Sequence, residues 1–119
     1  MHHKDLEVWK LSMSMVMKVY KLTKNFPEHE KFALTSQICR SAISIPSNIA
    51  EGCGRGSDKD TLRFLDIALG SSAELETQLL IAQSLDYANT EEILADIDRI
   101  NALIYGLKKI SKTKKFLIT

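Results

Sequence analysis

"LDIALGSSAELETQLLIA", residues 65–82, carries Leu65, Ala68, Ser72, Leu75, Leu79 and Ala82 at steps of three and four. That is the spacing of one face of an α-helix. Held over this length, the period favours near-antiparallel packing in a left-handed bundle. A helix is therefore predicted over residues 59–84, capped by Ser57 or Asp58, with Asp60 near its N-terminus. Small residues mark its middle. Gly70, Ser71, Ser72 and Ala73 predict a shallow place for close approach by a neighbour, because an interior glycine costs up to about 1 kcal/mol relative to alanine. Glu74 and Glu76 follow, candidates to pair with Arg40 or Arg63 for roughly 0 to 1 kcal/mol.

The preceding helix is predicted from Glu28 to about Gly54. Leu34, Ile38, Ala42, Ile45, Ile49 and Cys53 form its core stripe, widened by Cys39, Ile43 and Ala50. Its other side is polar: Gln37, Arg40, Ser44, Asn48, Glu51 and Arg55 also recur at steps of three and four. Pro46 lies inside this helix, where it removes the hydrogen bond to the Ala42 carbonyl and costs about 3 kcal/mol, predicting a kink. Two readings of the polar stripe stand side by side. Ser44, Ser47 and Asn48 can bond freed backbone groups near the proline, or the stripe, with Asn48 between Arg40 and Glu51, is a packed polar network or a ligand surface. Gly52, Gly54 and Gly56 then end the helix. The loop they open, "GCGRGSDKD" at residues 52–60, lacks the Gly-Lys-Ser/Thr and the preceding strand of a phosphate-binding loop.

Two outer helices complete the pattern. The first, residues 5–25, has two apolar stripes: Leu6, Trp9, Met13, Val16, Tyr20, and Val8, Leu11, Met15, Val19, Leu22, Phe26. At 100° per residue they point roughly 120° apart. A helix with one buried face needs one stripe, so the second predicts contact with another subunit rather than a thicker core. Pro27 ends the segment. The last helix is capped by Asn89 or Thr90, gains from Glu91 and Glu92 at its N-terminus, shows Ile93, Ile97, Ile100, Ile104 and Leu107 as its stripe, and is predicted to persist to about Lys112. Together the four segments predict an all-α, antiparallel up-down-up-down four-helix bundle spanning residues 1–119 as a single domain.

Composition narrows the function classes. With 119 residues, 45% hydrophobic and 26% charged, the chain suits one globular core. No apolar run approaches the roughly 20 residues of a membrane-spanning helix and no apolar signal segment follows the start, so a cytoplasmic protein without membrane contact is expected. Cys39 and Cys53 would sit roughly 20 Å apart on one helix, too far for a disulfide, and read as buried thiols. His2 and His3 have no partner at metal-ligand spacing, so neither metal nor cofactor is expected. The net charge is +1, but it is uneven: residues 1–107 hold 11 basic and 15 acidic groups, while Lys108, Lys109, Lys112, Lys114 and Lys115 follow with no acid. Lysines at a helix C-terminus are favourable for dipole reasons alone; phosphate contact is the alternative.

Asn48-Ile49-Ala50-Glu51-Gly52, followed by Phe64-Leu65, Ala68, Gly70-Ser71, Glu74 and Glu76, and preceded by Phe26-Pro27, Glu30, Leu34, Gln37 and Arg40, resembles the 23S rRNA intervening-sequence proteins. The likeness covers nearly the whole chain. Members of that family are four-helix bundles encoded within insertions of bacterial ribosomal RNA genes or elsewhere in bacterial genomes, with no settled biochemical activity. Their fold is similar to that of the accessory variability protein of diversity-generating retroelements, a pentameric barrel of bundles that binds nucleic acid and a reverse transcriptase. The resemblance therefore implies a homo-oligomer, specifically a pentamer. Two departures stand out: the retroelement protein is strongly basic whereas this chain is near neutral, and Asp86 occupies a position where the family often has glycine.

Two function classes follow. In the first, an RNA- or nucleoprotein-associated adaptor, Arg40, Arg55, Lys59, Arg63, Lys108, Lys109, Lys112, Lys114 and Lys115 meet phosphate. In the second, a protein-interaction scaffold without nucleic acid, Gln37, Ser44, Asn48, Glu51 and Glu74 form the partner surface. Catalysis is disfavoured. There is no Ser/His/Asp or Cys/His set, and a Glu51/Glu74 carboxylate pair lacks the Glu-x-x-His of bundle metal sites.

Overall fold

A computed structural model describes the backbone of residues 2–118 and the side chains through Lys112. Four α-helices are present, α1 Glu7–Thr23, α2 Leu34–Cys53, α3 Asp58–Ser84 and α4 Glu91–Ile118, with no strand among the described residues. Each packs on its neighbours in sequence, and α4 closes back on α1. The result is a rod of 53 × 22 × 21 Å.

The core follows the predicted stripes. Met15 and Val19 of α1, Ile38, Ala42, Ile45 and Ile49 of α2, Ala68, Leu75 and Leu79 of α3, and Ile97, Ile100 and Ile104 of α4 are fully buried. Burying each large aliphatic contributes about 1.5–3 kcal/mol, so the shared stripe is the main force holding the bundle. The other α1 stripe divides. Leu6, Trp9 and Val16 are half-buried against the core, while Met13 and Tyr20 are exposed, as is Met17.

Polar contacts fix the register. Ser72 is fully buried on α3 and donates to Asn101 Oδ1 on α4 at 2.6 Å. Lys18 on α1 reaches both Glu92 and Asp96 on α4 at 2.9 Å, and these hydrogen bonds, Asp96 first, raise its ammonium pKa. Ser57 caps α3 by accepting from the Asp60 N–H at 3.2 Å.

Four expectations need correction. Residues 28–33 do not begin α2. Glu28–Glu30 form a 3-10 turn and the α-helix starts at Leu34, because this segment has no apolar stripe to bury and its one large apolar side chain, Phe32, is 90% exposed. The backbone of α4 stays helical to Ile118 rather than ending near Lys112, since neither glycine nor proline follows to stop it. Ile43, expected to widen the α2 core, is exposed. Gly70 makes no close packing: a Cβ there would meet nothing within 4 Å, and the close approach belongs to Gly52, whose Cβ would lie 3.3 Å from both Phe64 Cβ and the Thr61 carbonyl oxygen.

The α3–α4 turn explains the aspartate at position 86. Tyr87 N–H donates to the Ala82 carbonyl and Asp86 N–H to that of Gln83, both at 3.0 Å, which is a Schellman helix end. Such an end needs a left-handed residue, and Asp86 has φ 60°. Aspartate tolerates this conformation better than most side chains, but glycine adopts it without strain.

Candidate functional site

Three surface features assemble the predicted residues differently from the sequence grouping. The first is one end of the rod. Up-down-up-down topology places the α2–α3 connection and the C-terminal part of α4 together, so Arg55, Lys59, Arg63, Lys108, Lys109 and Lys112 share this end. Phe64 is the organising residue. The Arg55 guanidinium lies 4.6 Å from its ring centroid and that of Arg63 5.0 Å, so one ring is flanked by two cations. Arg55 also pairs with Glu51 at 3.0 Å, and Lys108 pairs with Asp66 on α3. Lys114 and Lys115 lie outside the described side chains.

The second feature is a polar groove of about 310 Å³ between α2 and α3. Ser44 and Ser71 set its register with their hydroxyls 2.7 Å apart. Asn48 Nδ2 fixes Ser44, donating to its carbonyl at 2.8 Å and its hydroxyl at 3.0 Å. Antiparallel helices keep the sum of facing residue numbers nearly constant, so Arg40 stands level with Glu74 and Gln37 with Gln78. All four line the groove. Neither Glu74 nor Glu76 forms the anticipated ion pair with Arg40 or Arg63 among the described residues. Gln78 Oε1 is buried without a hydrogen-bond partner. Sequence reading misses Ser71 and Gln78 as groove residues, because the serine reads as a packing residue and the glutamine as an ordinary surface position; only the register exposes them.

The side chains around Pro46 take up carbonyls next to the one it frees, not that carbonyl itself. Ser47 donates to the Ile43 carbonyl at 2.8 Å and Asn48 to that of Ser44, while the helix runs unbroken through Pro46. Asn48 also holds the Ser44 hydroxyl that meets Ser71.

Two predicted residues separate from their groups. Arg40 is 15 positions before Arg55, roughly 22 Å along the helix, and belongs to the polar groove rather than to the basic end. Glu51 stands level with Phe64, ten positions or roughly 15 Å along α3 from Glu74, so the two carboxylates do not form a pair. Among the described residues no cluster of three or more His, Cys, Asp and Glu could hold a metal ion. Cys53 is half-buried, and burial pushes its thiol pKa up, away from thiolate chemistry. No helix among the described residues is long and apolar enough to cross a membrane.

The third feature is an apolar groove of about 340 Å³ on the other flank of α2. Trp9, Met13 and Val16 of α1 face Ile43, Pro46 and Ala50 of α2 across it. Met13 and Ile43 are each 42% exposed, and Met17, one turn on from Met13, is 61% exposed.

The same fold recurs in known proteins. The family model of the 23S rRNA-intervening sequence protein matches residues 4–108. A crystal structure of a protein of unknown function from the S23 ribosomal protein family, from Bacteroides thetaiotaomicron, is 30% identical in sequence and superposes with a TM-score of 0.77, covering 86% of this chain and 98% of that one. No curated protein matches the chain.

Proposed function

This chain belongs to the 23S rRNA-intervening sequence protein family, and from that premise we propose that it is a non-enzymatic, cytoplasmic adaptor that associates with RNA or a nucleoprotein as a homo-oligomer, specifically a pentamer. The observation that carries the reading is the gathering of Arg55, Lys59, Arg63, Lys108, Lys109 and Lys112 at one end of a rod whose first 107 residues hold 11 basic and 15 acidic groups. A near-neutral protein attracts a polyanion only where its cations are concentrated. Paired guanidiniums on Phe64 add planar donors suited to phosphate. The apolar groove between α1 and α2 supports self-association, which would repeat the basic end several times in one particle and convert weak contacts into avidity.

Binding of a structured RNA hairpin, followed by fluorescence anisotropy across a salt series, tests the reading. Affinity should be measurable at low salt and fall steeply as salt rises, and the triple variant Lys59→Ala, Arg63→Ala, Lys112→Ala should flatten the log–log slope by about 2 to 3. Absence of binding at low salt overturns it. A second reading, a protein-interaction scaffold without nucleic acid, is favoured by the pairing of Arg55 with Glu51 and of Lys108 with Asp66, which neutralises two of the expected phosphate contacts internally. Under that reading the same titration stays flat.

A further inference from the structure

We propose that the polar groove between α2 and α3 is a binding site for a small zwitterion, a free α-amino acid. The site is far from the basic end and independent of the adaptor reading. Its walls form three rungs across the antiparallel pair: Ser44 with Ser71, Arg40 with Glu74, and Gln37 with Gln78. The lowest rung is closed by its own hydrogen bond of 2.7 Å. The middle rung is open. Arg40 and Glu74 stand level on facing helices yet form no ion pair within 4.0 Å, leaving a full positive and a full negative charge on opposite lips of one cleft. In the upper rung, Gln78 presents a buried Oε1 that lacks a donor.

Each feature selects the ligand. The Arg40 guanidinium offers a planar fork that binds a carboxylate through two parallel hydrogen bonds. Glu74 accepts only from a donor, and an ammonium supplies charge as well as protons. With its three hydrogens, the same ammonium can also reach a second acceptor, the one Gln78 leaves unsatisfied. Phosphate monoesters are disfavoured because Glu74 repels a dianion across the cleft. Nucleobases lack a platform, since no aromatic ring lines the groove. The volume, about 310 Å³, lies at the small end of ligand sites, which start near about 300 Å³.

Calorimetric titration of the full chain with each of the standard amino acids at millimolar concentration tests the site, alongside two controls in which the amine is acetylated or the carboxylate amidated. At least one free amino acid should bind saturably, and either capped derivative should bind at least tenfold more weakly. Arg40→Gln and Glu74→Gln, both exposed and outside the core, should each weaken binding at least tenfold while far-UV circular dichroism stays at the wild-type value. Binding that survives both of these changes would locate the ligand away from the Arg40–Glu74 rung and overturn the proposal. So would silence across the amino-acid panel, equal binding of the capped forms, or preference for inorganic phosphate. RNA binding by the same protein preparations, read separately, keeps this outcome distinct from that of the adaptor reading.

Discussion

The two flanks of α2 face grooves of similar size and opposite chemistry. Toward α1 the walls are chiefly Trp9, Met13, Val16, Ile43, Pro46 and Ala50, joined by His3 and Ser47; toward α3 they are serines, amides and one charge of each sign. An apolar groove gains from any apolar surface laid over it, because the hydrophobic effect is proportional to area and has no direction. A groove of hydrogen-bonding groups gains only from a partner that returns each donor and acceptor. One helix thus carries a surface suited to assembly and another suited to selection, and substitutions on the two flanks should fail in different ways.

The largest effect is expected on the apolar flank. Met13→Asp combined with Ile43→Asp puts two carboxylates where self-association would bury them, and each unpaired buried charge costs several kcal/mol. With tenfold in affinity for about every 1.4 kcal/mol, the variant should run as a single chain in light scattering while the wild type runs as a multiple. Both side chains are substantially exposed in the single chain, so helicity should persist. A wild type that already scatters as one chain removes the assembly from the proposal.

On the polar flank the same kind of cut should spare assembly and touch the fold instead. Asn48→Ala deletes the bonds of 2.8 and 3.0 Å that hold Ser44 against Ser71, and should cost about 1–2 kcal/mol in urea unfolding. Arg40→Ala, by contrast, removes a side chain that is exposed and outside the ion pairs among the described residues, and should stay within about 0.5 kcal/mol. Equal costs for the two would mean that the groove is one structural network rather than a fixed floor with free lips.

This division is only partly legible in the sequence. The four apolar stripes, the Ser57 cap and the break at Pro27 can be read because each depends on local spacing; every predicted stripe residue of α3 is buried, as are those of α4 apart from the half-buried Leu107. The membership of Gln37, Arg40, Ser44 and Glu74 in one groove is half visible: three share a stripe on α2, but the opposing wall depends on the register of two helices, which tertiary contacts such as Ser44 with Ser71 and Thr61 with the Gly52 carbonyl fix. Arg40 falls in with the phosphate-contacting residues on sequence because composition records its charge and not its height along the rod. Ile43 reads as core for a similar reason, since periodicity gives an angle around the helix and not how far the neighbouring helix extends over it. The 3-10 turn at Glu28–Glu30 replaces a predicted helical start because a favourable carboxylate at a helix N-terminus does not substitute for an apolar face to bury.

A smaller effect than that of Asn48→Ala, and of opposite sign, separates small residues that serve the polar groove from those that merely accompany it. Ser71 and Ser72 are buried and bonded, to Ser44 and Asn101 respectively, whereas Gly70 faces open space, with nothing within 4 Å of where an alanine methyl would stand. Gly70→Ala should therefore recover most of the helix-propensity difference, a gain of about 0.5–1 kcal/mol in urea unfolding, with amino-acid binding unchanged. Gly52→Ala makes the converse case. Its Cβ would stand 3.3 Å from the Thr61 carbonyl oxygen, a backbone atom held in place by the geometry of α3, so the propensity gain should be cancelled. If Gly70→Ala instead destabilises, α3 meets something at that position, and the surface assigned to solvent is covered in the assembled protein.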